Sequence, residues 1–191
     1  MRIDFVWMKA RAMALLVLGR NDAALAVFNT MVARWPDDAY ALASRAHLLT
    51  QKRQLDAALM DSHRLVALRP EHAPTWFNHG FMLEEADHLE EALLAFQKAT
   101  ALDEKLDRAW YGQGLALIRL KRYDEAVPVL KRNTELQPMS PYAWYQLARV
   151  HVDRHEPEEA VKIIKHLKGF EPKVAAQLER ETGLRVSAST G

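Results

Sequence analysis

Residues 107–138 read DRAWYGQGLALIRLKRYDEAVPVLKRNTELQP, and this stretch decides the fold. Trp110, Gly114 and Leu117 recur at i, i+4, i+7, the spacing of one face of a helix. Ala126, Leu130 and Asn133 keep the same spacing on a second helix, with Lys121–Asp124 as a short polar turn between them. Pro138 closes the unit, because proline cannot continue the helix it follows.

The same unit recurs outward in both directions. Pro36, Pro70, Pro138 and Pro172 are separated by 34 or 68 residues, with Glu104 filling the vacant place. Trp76, Trp110 and Trp144 form a comb of period 34 that steps back onto Leu42 and Met8. Two further combs hold tiny residues: Ala24, Ala58, Ala92, Ala126 and Ala160, and Ala12, Ala46, Gly80, Gly114 and Ala148. Side chains at a helix crossing set the interaxial distance, so a tiny residue on each helix lets the backbones close up while larger neighbours fill the grooves. Gly19 marks the turn of the first unit.

Composition agrees with this reading. A hydrophobic content of 49% is ample for a core in 191 residues, which read as one domain or one array. Seven glycines and eight prolines suit helices better than a turn-rich sheet protein. Lys and Arg (26) nearly balance Asp and Glu (25), which disfavours a phosphate-binding surface. The chain has no cysteine, which excludes disulfides, thiolate metal sites and cysteine nucleophiles. The N-terminal segment resembles a signal peptide only superficially: Ala12–Leu18 is short, Asp4 lies in the would-be basic region, and Lys9 and Arg11 interrupt the apolar residues. About 20 apolar residues are needed to cross a bilayer, so no membrane insertion is expected. A cytoplasmic location is expected, with a periplasmic place or membrane association through a partner left open.

The combs resemble the tetratricopeptide repeat, a 34-residue helix-turn-helix family. The third unit carries Trp76-x2-His79-Gly80-x2-Leu83 and Ala92-x3-Phe96, and the fifth carries Trp144-x2-Leu147-Ala148, Ala160-x3-Ile164 and Pro172. The resemblance implies an all-α, right-handed superhelical α-solenoid whose concave groove, lined by the first helix of each unit, binds peptides or protein segments. Repeats are placed at about 5–38, 39–72, 73–106, 107–140 and 141–172 within a single array, 5–184. A capping helix follows at about 173–183, with Val174, Ala175 and Leu178 on one stripe, and 185–191 is expected to be a flexible tail. Arg11, Arg45, His79 and Gln113 stand where the family usually has leucine, and Ser62 and Asn133 replace larger apolar residues. If buried, each needs a hydrogen-bond partner.

Residues beside the tryptophan comb, and those four and seven later, are expected to face the groove. The candidates are Tyr40, His47, Phe77, Phe81, Glu84, Arg108, Tyr111, Leu115, Tyr142, Tyr145 and Arg149. Aromatic anchors flanked by arginine are common hot-spot chemistry at protein interfaces. The clamp by which some relatives hold a C-terminal carboxylate needs Lys and Asn at matching places; starting from Lys9 or from Ala43, neither set is complete. Phe5, Trp7, Met13, Leu16 and Val17 make the first helix apolar on more than one face and are candidates for self-association. Residues 71–104 carry net charge −7 and residues 1–70 net +4. The plain reading of that alternation is a solvated outer face, the sharper one selection of a basic ligand by Glu84 and Glu85.

His151 and His155, at i and i+4, offer two imidazoles, but zinc needs a third ligand and usually a fourth, and a buried structural His151 is the simpler reading. No phosphate loop, HExxH or G-x-S-x-G motif occurs. The sequence therefore reads as a non-catalytic adaptor without cofactor or metal, binding a peptide or helix of a partner. A self-assembling scaffold is the alternative. Single-strand RNA binding is a distant third, and no nucleic acid is expected.

Overall fold

The computed structural model describes residues 3–186, and among these are eleven α-helices and no strands. They are α1 (Ile3–Val17), α2 (Asn21–Arg34), α3 (Ala39–Gln51), α4 (Leu55–Leu68), α5 (Ala73–Glu85), α6 (Leu89–Leu102), α7 (Asp107–Arg119), α8 (Tyr123–Leu136), α9 (Pro141–Asp153), α10 (Pro157–Lys168) and α11 (Pro172–Thr182). This is an all-α helical-repeat solenoid. The chain divides into two compact units, Met1–His88 with α1–α5 and Leu89–Gly191 with α6–α11. Within the first, α1 packs on α2, α2 on α3, α3 on α4 and α4 on α5. Within the second, each helix from α6 to α11 packs on the next, and α11 also touches α9.

Both combs of tiny residues are buried wherever they occur. Ala24, Ala58, Ala92, Ala126 and Ala160 expose nothing, and Ala12, Ala46, Gly80, Gly114 and Ala148 are likewise buried. Gly114 shows why size matters: a Cβ there would stand 2.5 Å from Leu130 Cδ2. The tryptophans have a different part from the one expected of a core comb. Trp76, Trp110 and Trp144 are half-buried, and each indole N–H donates to a backbone carbonyl six residues earlier, at Pro70 (2.8 Å), Glu104 (3.0 Å) and Pro138 (3.0 Å). The indole thus ties the loop between repeats to the helix that follows it, satisfying its own donor as a partly buried tryptophan must.

The turns inside the repeats are shorter than the sequence suggested. Tyr123 and Asp124 begin α8, leaving Leu120, Lys121 and Arg122 to reverse the chain. Gly19, Arg53, Asp87, Lys121 and His155, each 34 residues from the next, all have left-handed φ, between 58° and 69°. The following N–H then reaches back to the carbonyl five residues before it: Arg20 to Leu15, Gln54 to Leu49, His88 to Leu83, Arg122 to Leu117 and Glu156 to His151, at 2.8–2.9 Å. These bonds close the end of each first helix.

Some of the alternating charges form pairs joining successive repeats. Lys52 pairs with Asp22 and Arg53 with Glu85 in the first unit; Arg122 pairs with Glu90 (3.1 Å) and Arg154 with Asp124 (3.0 Å) in the second. Of the tail, Val186 is held: its N–H donates to Glu179 Oε1 (2.7 Å) and its carbonyl accepts from Lys168 Nζ (2.8 Å). The rest of the predicted tail, 187–191, lies outside the described residues.

Most of the polar residues at apolar places have found partners. Arg45 Nε and Nη2 bind Asp61 Oδ2 and Oδ1 at 2.7 and 2.6 Å, with the Asp61 side chain only 5% exposed. Asn133 Nδ2 donates to the Asp107 carbonyl at 2.6 Å. Gln113 Oε1 accepts a long bond from Thr100 Oγ1 at 3.5 Å. Arg11, at the exposed end, needs none. Removing Arg45 alone would strand the buried Asp61 carboxylate, so Arg45→Leu is expected to lower the unfolding free energy by about 3 kcal/mol. The double substitution Arg45→Leu with Asp61→Ile copies the buried Leu147 and Ile163 of the fifth repeat and should recover most of that loss in urea denaturation. Equal stability of the single variant and the parent would show the pair to be dispensable.

Candidate functional site

In each unit a pocket is bordered by first-helix positions that include predicted groove residues. In the first unit a cavity of about 290 Å³ opens among α3, α4 and α5, with His47, Ser62, Leu65, Asn78, His79, Phe81 and Met82 on its walls. Ser62 and His79 are buried, while His47, Asn78 and Phe81 are exposed, so the former lie deep and the latter at the rim. In the second unit a pocket of about 310 Å³ is bordered by Tyr111, Tyr142 and Tyr145, with Val174 and Gln177 of α11 closing it.

The predicted groove residues therefore divide. His47 and Phe81 share the first pocket; Tyr111, Tyr142 and Tyr145 share the second. Tyr142 is the most open of these aromatics, 69% exposed, while Tyr111 and Tyr145 are half-buried. Tyr40 instead braces the end of the array: its ring meets Phe28 edge-on at 6.0 Å, and Lys9 Nζ sits 4.2 Å from its centroid. Phe77, Glu84 and Leu115 are half-buried and Arg108 is exposed, and none of the four borders either pocket.

Arg149 is exposed and at the same time engaged within the chain. Its Nη1 donates to Tyr145 Oη (3.3 Å) and lies 3.6 Å from Glu181 of α11, and Tyr145 itself donates to Glu181 at 2.5 Å. These bonds raise the Arg149 pKa and hold the Glu181 carboxylate below its usual range. The capping helix thus fixes the tyrosine that borders the pocket. No signal in the sequence pointed to this, because the repeat pattern does not say which side chain of α11 meets Tyr145. Glu85, the second acid proposed to select a basic ligand, is engaged by Arg53.

The depth of the first pocket is polar. Ser62 Oγ lies 2.9 Å from His79 Nδ1. His63 Nδ1 donates to the Leu59 carbonyl (2.9 Å), and its ring meets that of His79 edge-on at 4.6 Å. Burial, and secondarily the charge His63 can carry, push the His79 pKa down to about 4. His151, the other buried histidine, bonds Glu156 Oε2 through Nδ1 at 2.7 Å. His155 lies beyond the end of α9 in the left-handed turn, so the two imidazoles do not share a helix face. Among the described residues no group of three His, Asp or Glu side chains is placed to hold a metal.

Comparison with known proteins agrees with the repeat geometry. Family models of the tetratricopeptide repeat match residues 9–73 and 83–132 in one case and 117–179 in another. No curated protein matches the sequence. Among solved structures the chain resembles MamA at 18% identity, with 98% of this chain and 100% of that one covered and a TM-score of 0.84. It resembles YrrB, described as a TPR protein with an unusual peptide-binding site, at 19% identity over 88% of both chains with a TM-score of 0.76. A thermophilic TPR protein of Thermus thermophilus aligns at 21% identity, covering 94% of this chain and all of its own, with a TM-score of 0.64.

The His79 environment sets a pH dependence. Its folded pKa of about 4 lies below the ordinary 6.5, so the unfolded chain takes up a proton that the folded chain refuses. Stability is expected to fall as pH drops through that interval, by up to about 1.4 kcal/mol per pH unit. Urea denaturation of the parent and of His79→Gln at neutral pH and near pH 5 should show the extra acid loss in the parent alone. Parallel losses would assign it to other groups.

Proposed function

The chain belongs to the tetratricopeptide repeat family, a family of protein–protein interaction modules, and from that premise we propose that it is a non-catalytic adaptor binding a peptide or helical segment of a partner along its first-helix face. The observation that carries this reading is the gathering of Tyr111, Tyr142 and Tyr145 around one open pocket, with Tyr145 held by Glu181. Preorganised aromatic rings with polar tips suit a wet groove, since they bury area at little entropic cost. The peptide-binding site named for YrrB supports the same use of this fold. The expected result is that Tyr111→Ala with Tyr142→Ala lowers retention of captured partners by more than about tenfold while helix content by circular dichroism is unchanged. Binding and helicity lost together would make these rings structural, and unchanged binding would remove them from the interface.

A second reading, self-association through α1, is favoured by one specific pattern. Ile3, Val6, Trp7, Ala10, Met13, Ala14 and Val17 form an uninterrupted apolar stripe at helical spacing, every member of it exposed, Trp7 by 73% and Val17 by 84%. The places of Trp7 and Ala14 are taken in later repeats by Ala41 and Leu48, Ala109 and Ala116, and Ala143 and Val150, all buried where the first helix packs on the second helix before it. The stripe is also symmetric about Ala10, which opposes Ile3 to Val17, Val6 to Ala14 and Trp7 to Met13 in an antiparallel pair. That is what an isologous two-fold contact requires. Of the candidates named from sequence, Phe5 and Leu16 leave this list: both are half-buried, and Phe5 lies edge-on to Trp35 at 5.1 Å. Sedimentation equilibrium is expected to show a concentration-dependent dimer that Trp7→Glu converts to monomer. A parent that stays monomeric at millimolar concentration would dismiss it.

A further inference from the structure

We infer that the pocket of the first unit receives a tyrosine side chain of the bound segment, an inference that rests on the adaptor reading and names one residue its ligand must carry. In four of the five repeats the second helix presents a large apolar residue at one place, Phe28, Phe96, Leu130 and Ile164, all fully buried. The second repeat has Ser62 there. In the second unit the Phe96 ring presses on α7 so closely that a Cβ at Gly112 would come within 2.7 Å of it. The corresponding pair in the first unit is Ser62 and Asn78, and the pocket opens beside both. The second repeat thus lacks, from its own chain, the ring that the third repeat builds in.

The walls select among the side chains that could supply it. Leu65, Phe81 and Met82 offer apolar surface to a ring. At the deep end stand Ser62 and His79, 2% and 5% exposed and hydrogen-bonded to each other, with the Ser62 hydroxyl also donating to the Leu59 carbonyl (3.1 Å). A phenol hydroxyl can donate or accept, so it can add a bond to whichever polar atom of this pair faces the cavity. Phenylalanine would bury the pair without an added partner. A carboxylate would have to shed its water beside a neutral imidazole, with Arg69, the one guanidinium lining the pocket, exposed.

The test is selection of peptides from a random phage-displayed library on the parent and on Ser62→Phe with Asn78→Gly, which copies the Phe96–Gly112 pair into the first unit. The parent is expected to enrich tyrosine at one fixed position. The filled variant should lose that preference and bind a parent-selected peptide more than about tenfold more weakly, with an unchanged circular dichroism spectrum. Should the double variant fail to fold, Ser62→Leu, copying Leu130, takes its place. Enrichment of an acidic or aliphatic residue at that position, or equal binding by parent and filled variant, overturns the tyrosine assignment and leaves the adaptor reading intact. A parent that enriches no peptide at all overturns the adaptor reading, and the tyrosine assignment with it.

Discussion

Everything in this chain depends on how closely two helices can approach at one crossing. A tiny residue on each helix lets the backbones meet, and the large side chains beside it then interlock. Ala126 and Gly114 do this in the fourth repeat, where Leu130 occupies the space a Cβ on Gly114 would need. Because the same two places are tiny in every repeat, the hairpins within each unit close to a similar geometry.

Regular hairpins also need regular joints, and two devices supply them. The left-handed residue after each first helix lets the chain reverse in three residues, and four of those five left-handed residues are not glycine. Forcing an L residue into that region costs roughly 1–2 kcal/mol, here offset by the backbone bonds that close the helix end. Between repeats, the tryptophan indoles bond the loop carbonyls of Pro70, Glu104 and Pro138. The tryptophans are therefore clasps, half in the core and half over the joint.

On a scaffold this uniform, function resides in the exceptions. Arg45 with Asp61 exchanges apolar contact for a bidentate ion pair and keeps the second repeat closed. Ser62 with His79 does the opposite, leaving part of the same repeat open to its surroundings. Both pairs join residues 16 or 17 apart on successive helices, yet one fills its site and the other borders a cavity, because the long arginine side chain occupies the space it crosses whereas serine bonds its partner and fills little.

The sequence alone determined the period, the helix pair, the tiny crossings and the repeat family, because each follows from a residue type that must recur every 34 places for the packing to close. It also marked Ser62, His79 and Arg45 as departures, since a polar residue in an apolar comb is visible without coordinates. Only the tertiary structure decided what those departures became. Whether a small residue is compensated or leaves a pocket depends on the side chains that neighbouring helices bring to it, and no comb records that. The same holds for Tyr145 and Arg149, whose hydroxyl and guanidinium are engaged by Glu181 on the helix that follows the fifth repeat. Periodicity reports which face a residue occupies; the partner it meets there is set by three-dimensional proximity.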